Sequence, residues 1–217
     1  MLATAATRGC STCCSRGSGC NAGRVARDRD GRGHHDPGGA AEDAAAIAAI
    51  YAPHVLVGTV SFETDAPDAR QMRARMAASD GLYPWLVATV GDAGGVIAFG
   101  YAGRFRERAA YRFVVETTVY VADAAQRQGA GRLLYEALID TLRAQGFTQA
   151  IGVIALPNDG SIRLHESVGF RRAGVYRAVG YKNGQWIDVG HWQCALNDAA
   201  VPPVEPRRFA EVGVVRG

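Results

Sequence analysis

Val114-Val115-Glu116-Thr117-Thr118-Val119-Tyr120-Val121-Ala122-Asp123-Ala124-Ala125-Gln126-Arg127-Gln128-Gly129-Ala130-Gly131-Arg132 begins as a strand and ends as the start of a helix. Val114, Val115, Thr117, Thr118, Val119, Tyr120 and Val121 are β-branched or aromatic, the composition of a pleated strand. Asp123-Ala124-Ala125 turns the chain. From Gly129 onward, Leu133, Leu134, Ala137, Leu138 and Leu142 recur at spacings of three and four, the period of a helix with one apolar face. A strand feeding a Gly-rich loop and a helix start is a phosphate cradle. The free N–H groups of the first turn point at the ligand, and the helix dipole favours negative charge there. Small residues let the backbone come close. A dinucleotide loop would carry GxGxxG, and the Gly at the sixth position is absent here. A P-loop would carry Gly-Lys-Ser or Gly-Lys-Thr, and the chain has one lysine, Lys182. The alternative is an ordinary strand–turn–helix in which Gly serves packing.

Around this stretch, 217 residues at 48% hydrophobic allow a sizeable core in one domain. The formal charge is +3. Residues 1–40 hold six Arg and three Asp, so this excess lies there and the remainder is neutral. The body therefore has no basic surplus suited to nucleic acid or an anionic membrane, and no apolar run reaches the ~18 residues of a membrane span. Residues 1–39 read as a disordered Arg/Gly/Cys-rich extension without the apolar core of a secretory signal. Cys10, Cys13, Cys14 and Cys20 lack the paired knuckles of a zinc ribbon, so no metal is expected. Cys194 lies in an apolar strand as a small core residue. With no paired Cys framework in the body, a reducing cytoplasm is the expected compartment.

In chain order, a helix is expected from Ala40 to about Pro53, a strand at Val55–Thr64, and an amphipathic helix at Asp65–Ala78. A strand at Tyr83–Val90, a turn at Gly91–Gly95 and a strand at Val96–Tyr101 form a hairpin. After an Arg-rich loop and the strand quoted first come a helix at Gly131–Gln145 and a strand at Gln149–Ile154. A helix at Asp159–Val168 and a strand at Phe170–Tyr176 follow. Asn183-Gly184 signals a hairpin turn before a last strand at Ile187–Leu196, and residues 198–217 form a Pro-containing tail. The sum is a single-domain α/β architecture, a mixed sheet with helices packed on it.

Seven blocks then narrow the family. They are Ser61-Phe62-Glu63-Thr64, Tyr83-Pro84-Trp85-Leu86-Val87-Ala88, Tyr101-Ala102-Gly103, Glu116-Thr117-Thr118-Val119-Tyr120-Val121, Leu156-Pro157-Asn158-Asp159, Leu164-His165-Glu166 and Asp188-Val189-Gly190-His191-Trp192-Gln193. With Gln126-Arg127-Gln128-Gly129-Ala130-Gly131, they resemble GCN5-related N-acetyltransferases (GNAT). The likeness is to the branch that acetylates phosphinothricin, methionine sulfoximine or methionine sulfone. It covers roughly residues 41–197. It implies the GNAT fold, a mostly antiparallel mixed sheet with helices on both faces. It also implies acetyl-CoA as co-substrate, a small-molecule amine as acceptor, a homodimer, and a role in herbicide or antibiotic resistance.

Acyl transfer from a thioester to an amine needs a base for the amine, a polarised carbonyl, a stabilised thiolate and alignment. Glu116, among apolar strand neighbours, has the setting of a carboxyl with a raised pKa. The resemblance implies that it is the general base, directly or through water. The alternative is a strand carboxylate paired with a cation such as Arg112. The resemblance implies that main-chain groups of Val119, Tyr120 and Val121 meet the pantetheine arm. It gives the pyrophosphate to Gln126, Arg127, Gln128, Gly129, Ala130 and Gly131. Asn158 is placed as a helix N-cap, and the resemblance adds a cofactor contact. His165 stands where many GNAT proteins carry a Tyr that protonates the departing thiolate; it is implied here as proton donor or substrate contact. Arg106 and Arg108, with Tyr111, suit the anionic groups of such an acceptor. Phe62, Tyr135 and Val189 resemble pocket residues. The second function class is an acyl-CoA-binding module without catalysis, which would have no need of Glu116. A third, a nucleotide-binding domain, is disfavoured by the absent acidic residue and P-loop Lys. Within the family, the alternative is a GNAT protein acting on a different amine.

Two departures stand out. The family opens with a short apolar strand, whereas Arg32–Gly39 is a poor strand, so this edge strand is expected to be missing or replaced. In addition, Pro53 is expected to end the first helix early.

Overall fold

The computed structural model describes residues 22–27, 35–36, 40–90 and 94–215. Its strands are β1 (Ala22–Arg27), β2 (His35–Asp36), β3 (Trp85–Val90), β4 (Val96–Arg104), β5 (Val114–Val121), β6 (Gln149–Leu156), β7 (Arg171–Lys182) and β8 (Gln185–Ala195). Its helices are α1 (Ala40–Leu56), α2 (Ala69–Ala77), α3 (Ala130–Gln145), α4 (Asp159–Ser167) and a single turn, α5 (Phe209–Val212). The strands form one sheet in the order β2-β1-β3-β4-β5-β6-β8-β7. Only β1–β3 and β5–β6 run parallel.

Alternation along β5 sets the two layers. Val115, Val119 and Val121 join a core with Leu134, Leu138 and Leu142 of α3 and partly buried residues of α4. Tyr120 joins a second core on the opposite face, with Ile47, Tyr51 and Val55 of α1 and Met72 and Met76 of α2. The apolar stripe of α3 is therefore what buries one side of the organising strand. Asp68 caps α2 by accepting from the Gln71 N–H at 2.7 Å, while the Gln71 side chain accepts from the Asp68 N–H. This reciprocal capping box is the physical start signal for that helix. Asn183 and Gly184 both have positive φ, 51° and 76°, as the predicted two-residue hairpin requires.

Several elements differ from expectation. Val55 and Leu56 complete α1, and the rest of the expected Val55–Thr64 strand is a connection without regular structure. The β-branched residues suggested a strand, but Val55 belongs to the helical stripe of Ile47 and Tyr51 and is buried. Pro53 lies inside α1. It sits in the last turn, where its missing N–H removes only one helical bond. Ala22–Arg27, within the segment expected to be disordered, forms β1 and pairs with all of β3. Pairing with the otherwise open edge of β3 outweighs the weak local propensity. Within Arg32–Gly39, the described residues His35–Asp36 form a two-residue strand. Cys10, Cys13, Cys14 and Cys20 lie outside the described residues, as does most of the expected Gly91–Gly95 turn.

The C-terminal tail is docked rather than loose. The buried Gln145 donates to the carbonyls of Leu82 and Arg207, and Phe209 is buried beside α3. Among the described residues, no helix is long and apolar enough to cross a membrane, and no group of three His, Cys, Asp or Glu could hold a metal.

Candidate active site

The ladder between β5 and β6 is short. It runs from Val114↔Gln149 to Thr117↔Gly152 and stops. Beyond it β5 stays paired with β4 as far as Val121↔Ala98, and β6 stays paired with β8 as far as Leu156↔Asp188. Thr118–Val121 and Val153–Leu156 therefore splay apart. Their facing main-chain groups are not spent on each other, which is the condition for accepting an extended ligand as an added strand.

Glu116 sits one residue before the last paired residue, Thr117. It pairs with Gly103 of β4 on one side and Ile151 of β6 on the other, so it is central in the sheet rather than at an edge. Its side chain points to the α1/α2 face, opposite to Val115 and Thr117. Burial pushes its carboxyl above the usual carboxylate range, and the Arg106 charge offsets part of this. Arg112, the alternative partner, is instead paired with Glu205 at 2.7 Å. On the same face, a cavity of about 390 Å³ is lined by Tyr51, Arg75, Trp85, Phe99, Tyr101 and Gly103. Tyr101 stacks on Trp85 with ring centroids 4.2 Å apart.

At the far end of the splay, the chain enters α3 through Gln126–Gly129. Gln126 and Gln128 brace the loop by donating to the Asp123 carboxylate and the Ala124 carbonyl. Arg127 and Gly129 have positive φ, 59° and 82°. Gly129 is the N-cap residue, and no side chain caps the helix. The first-turn N–H groups of a 16-residue helix are thus left for an external acceptor. Gly131 packs so closely that a β-carbon would lie 3.0 Å from Val121 Cγ2, which ties the helix start to the end of β5.

His165 lies on the other face of the sheet, under α4. It is buried, and its Nδ1 is 2.8 Å from the Ser161 carbonyl oxygen. A carbonyl only accepts, so Nδ1 carries the proton. Burial lowers the imidazole pKa, and the Ser161 bond opposes this only in part. Nε2 has no hydrogen-bond partner among the described residues, and it abuts Gly152, the last β6 residue paired with β5. A neutral imidazole with this tautomer offers a lone pair at Nε2. Nε2 is thus the ring nitrogen that faces the point where β5 and β6 part. Tyr135, expected at the acceptor pocket, is fully buried in the α3 core; its hydroxyl is 2.8 Å from Thr117 Oγ1 and its ring meets His165 edge-on. It lines the wrong face of the sheet for an acceptor beside Glu116. Asn158 caps α4, accepting from the Ser161 N–H at 3.0 Å.

Arg106, Arg108 and Tyr111 are exposed on the loop between β4 and β5. Arg106 donates to the Phe105 carbonyl and lies over the Phe105 ring, 4.3 Å from its centroid. Its charge acts on Glu116 and also depresses the His191 pKa, after burial. Phe62 and Val189 are on the Glu116 face. His191, which the sequence singled out only as part of a block, stands on that face with its ring 4.6 Å from Tyr176. The alternation of β8 would have placed it there once Val189 was assigned.

The model of the acetyltransferase (GNAT) domain family matches residues 40–191. The chain belongs to the GNAT acetyltransferases. A phosphinothricin N-acetyltransferase of Streptomyces viridochromogenes is 42% identical over 167 residues, 76% of this GNAT chain and 90% of the relative. An L-methionine sulfoximine/L-methionine sulfone acetyltransferase of Salmonella typhimurium is 37% identical, covering 74% and 93%. A crystal structure of a GNAT superfamily phosphinothricin acetyltransferase from Sinorhizobium meliloti, in complex with acetyl-CoA, superposes with a TM-score of 0.71 at 36% identity, covering 80% and 91%. Within this GNAT chain, the splayed β5–β6 pair and the uncapped start of α3 fit an extended arm ending in phosphates.

Proposed function

We propose that this chain transfers the acetyl group of acetyl-CoA to the amino group of a small amino-acid-like acceptor of the phosphinothricin, methionine sulfoximine or methionine sulfone type. The observation that carries the proposal is Glu116: a partly buried carboxyl with a raised pKa, two residues before the strands part. The uncapped α3 start and Gln126–Gly131 take the pyrophosphate, and the free edge of Val119–Val121 pairs with the pantetheine arm. Asn158, at the mouth of the same opening, adds a contact while capping α4. The acceptor approaches from the α1/α2 face, where the cavity, Phe62 and Val189 lie. Arg106 and Arg108, with Tyr111, hold its anionic end.

The acceptor's ammonium gives a proton to Glu116, directly or through water. The freed nitrogen pair attacks the thioester carbonyl carbon, and the C–S bond breaks with its electron pair on sulfur. The second proton of the attacking nitrogen passes through solvent to the thiolate, leaving a neutral amide and the CoA thiol. A raised pKa suits Glu116 to this work, because a base is most effective when its pKa approaches the working pH. Direct attack fits the position of Glu116 beside the opening. His165 closes the vertex from behind as a neutral acceptor.

The test is thiol release from acetyl-CoA with each of the three acceptors, against a control without acceptor. Acetyl-CoA binding without transfer to any of them would favour the binding-module reading.

A further inference from the structure

Lys182 is the only lysine of the chain. It ends β7, is 9% exposed, and donates to three carbonyls: Val55 at 2.6 Å, Ser61 at 2.6 Å and Glu63 at 2.8 Å. A buried ammonium is costly unless fully hydrogen-bonded, and these bonds engage all three of its donors. All three acceptors belong to one segment, from the last turn of α1 through the connection to α2. Next to Lys182, Asn183 donates to the Val57 carbonyl at 3.1 Å. From the other side, the Tyr51 hydroxyl meets Ser61 Oγ at 2.6 Å and donates to Glu63, which Arg75 grips through two bonds.

Phe62 lies between two of the carbonyls that Lys182 holds. Its ring fills a notch at Gly180, where an added β-carbon would run into the ring. Gly180 pairs with Ile187. Ile187, Val189, His191 and Gln193 alternate onto one face, and Gln193 pairs with Ile151, the partner of Glu116. The notch therefore opens on the Glu116 face, and the aromatic ring stands there because the connection carrying it is fastened to the β7–β8 hairpin.

We propose that Lys182 is a positioning residue for acceptor specificity: its ammonium clasps the α1–α2 connection so that Phe62 forms a wall of the acceptor site. The kinetic part of this inference rests on the acetyltransferase reading; the structural part does not. Lys182 fixes a backbone shape, so charge alone is not enough. A planar guanidinium cannot aim three convergent donors at these carbonyls from the same stem.

The test compares Lys182→Met, Lys182→Arg, Gly180→Ala, Phe62→Ala and the Lys182→Met/Phe62→Ala double variant. Lys182→Met should raise the acceptor KM on the order of 10- to 100-fold, the scale of a misplaced binding group, and leave the acetyl-CoA KM within about twofold on the same grounds. Lys182→Arg should not rescue it. Gly180→Ala, which displaces Phe62 without touching Lys182, should raise the acceptor KM too. The double variant should be no worse in acceptor KM than the more affected single, because both changes remove the same wall. Additive effects, rescue by Arg, or an unchanged KM in Lys182→Met or in folded Gly180→Ala would overturn the proposal. Independently of activity, amide hydrogen exchange over residues 57–64 should accelerate in Lys182→Met. Unchanged exchange would refute the clasp, whereas absent acetyl transfer by the wild type would refute the enzymatic reading instead.

Discussion

The imidazole of His165 lies against the α-carbon of Gly152: a β-carbon there would stand 2.5 Å from Nε2. Gly152 is needed because it lets α4 bring a buried ring up to the vertex where β5 and β6 part. Gly152→Ala should therefore destabilise the fold by about 1–3 kcal/mol, the usual cost of overpacking. In a His165→Ala background the same methyl group enters vacated space, and its cost should largely vanish. Denaturant melts of the four proteins in this cycle measure the coupling. Additive costs would mean that the two residues do not share this space.

Glu116→Gln should retain CoA affinity and lose turnover by about 10²–10⁴-fold, the typical contribution of a general base. The wild-type kcat/KM should fall as pH drops through a pKa above the ordinary carboxylate range, since burial raises it. Arg106→Ala removes the opposing charge and should move that acid limb further upward. The same shift has a stability consequence of opposite sign. A folded pKa raised above the unfolded value means that the ionised carboxylate disfavours the fold, so Glu116→Gln should melt higher than wild type above that pKa. The difference should fade at acid pH, where both states hold the proton. A Gln variant with wild-type kcat would remove Glu116 from the chemistry.

Gly129→Val and Gly131→Val test the phosphate cradle by different routes. At position 129 a β-branched residue must adopt φ near 82°. At position 131 its β-carbon presses on Val121 Cγ2. Both should weaken CoA binding measured by calorimetry while sparing binding of the acceptor. Unchanged affinity in folded variants would make the loop a packing turn only.

The stretch from Val114 to Gln145 was legible because three independent signals agree there: strand composition, Gly at the turn, and the three–four spacing of Leu133 to Leu142. The Asn183-Gly184 turn was legible for the same local reason. The connection after α1 was misread because Val-Leu-Val-Gly-Thr-Val-Ser-Phe looks like a strand to any local rule. Its carbonyls are instead claimed by Lys182, 119 to 127 residues away in sequence. Ala22–Arg27 carries too few β-branched side chains to announce a strand; its pairing comes from the open edge of β3. Glu116 and His165 were both singled out, but their positions on opposite faces follow only from which helix covers which side of β5. The spacing of Tyr135 fits a core position and a pocket position equally well, and the fold places it in the core beside His165.

The acceptor clamp is the last prediction. Arg106 and Arg108 are both exposed, and Arg106 is already engaged with the Phe105 carbonyl and ring. Binding an anionic acceptor must compete with that contact, so only a charge-assisted pair can supply the gain. Such a bond contributes roughly 1.5–3 kcal/mol. Replacing either Arg with Ala should then lower kcat/KM for phosphinothricin or the sulfoximine by roughly 10- to 150-fold. The loss should fall mainly on the acceptor KM, since the phosphate cradle lies at the other end of β5. Arg106→Lys should be tolerated better than Arg106→Ala, because it keeps the charge near Glu116. An amine lacking a second anionic group should be nearly indifferent to Arg108→Ala, which separates a clamp from a general change in the loop. If steady-state kinetics show almost no change for either Ala variant with these acceptors, the two arginines are solvated surface. The acetyl transfer itself would stand, and the acceptor would have to be sought among small amines without the anionic end.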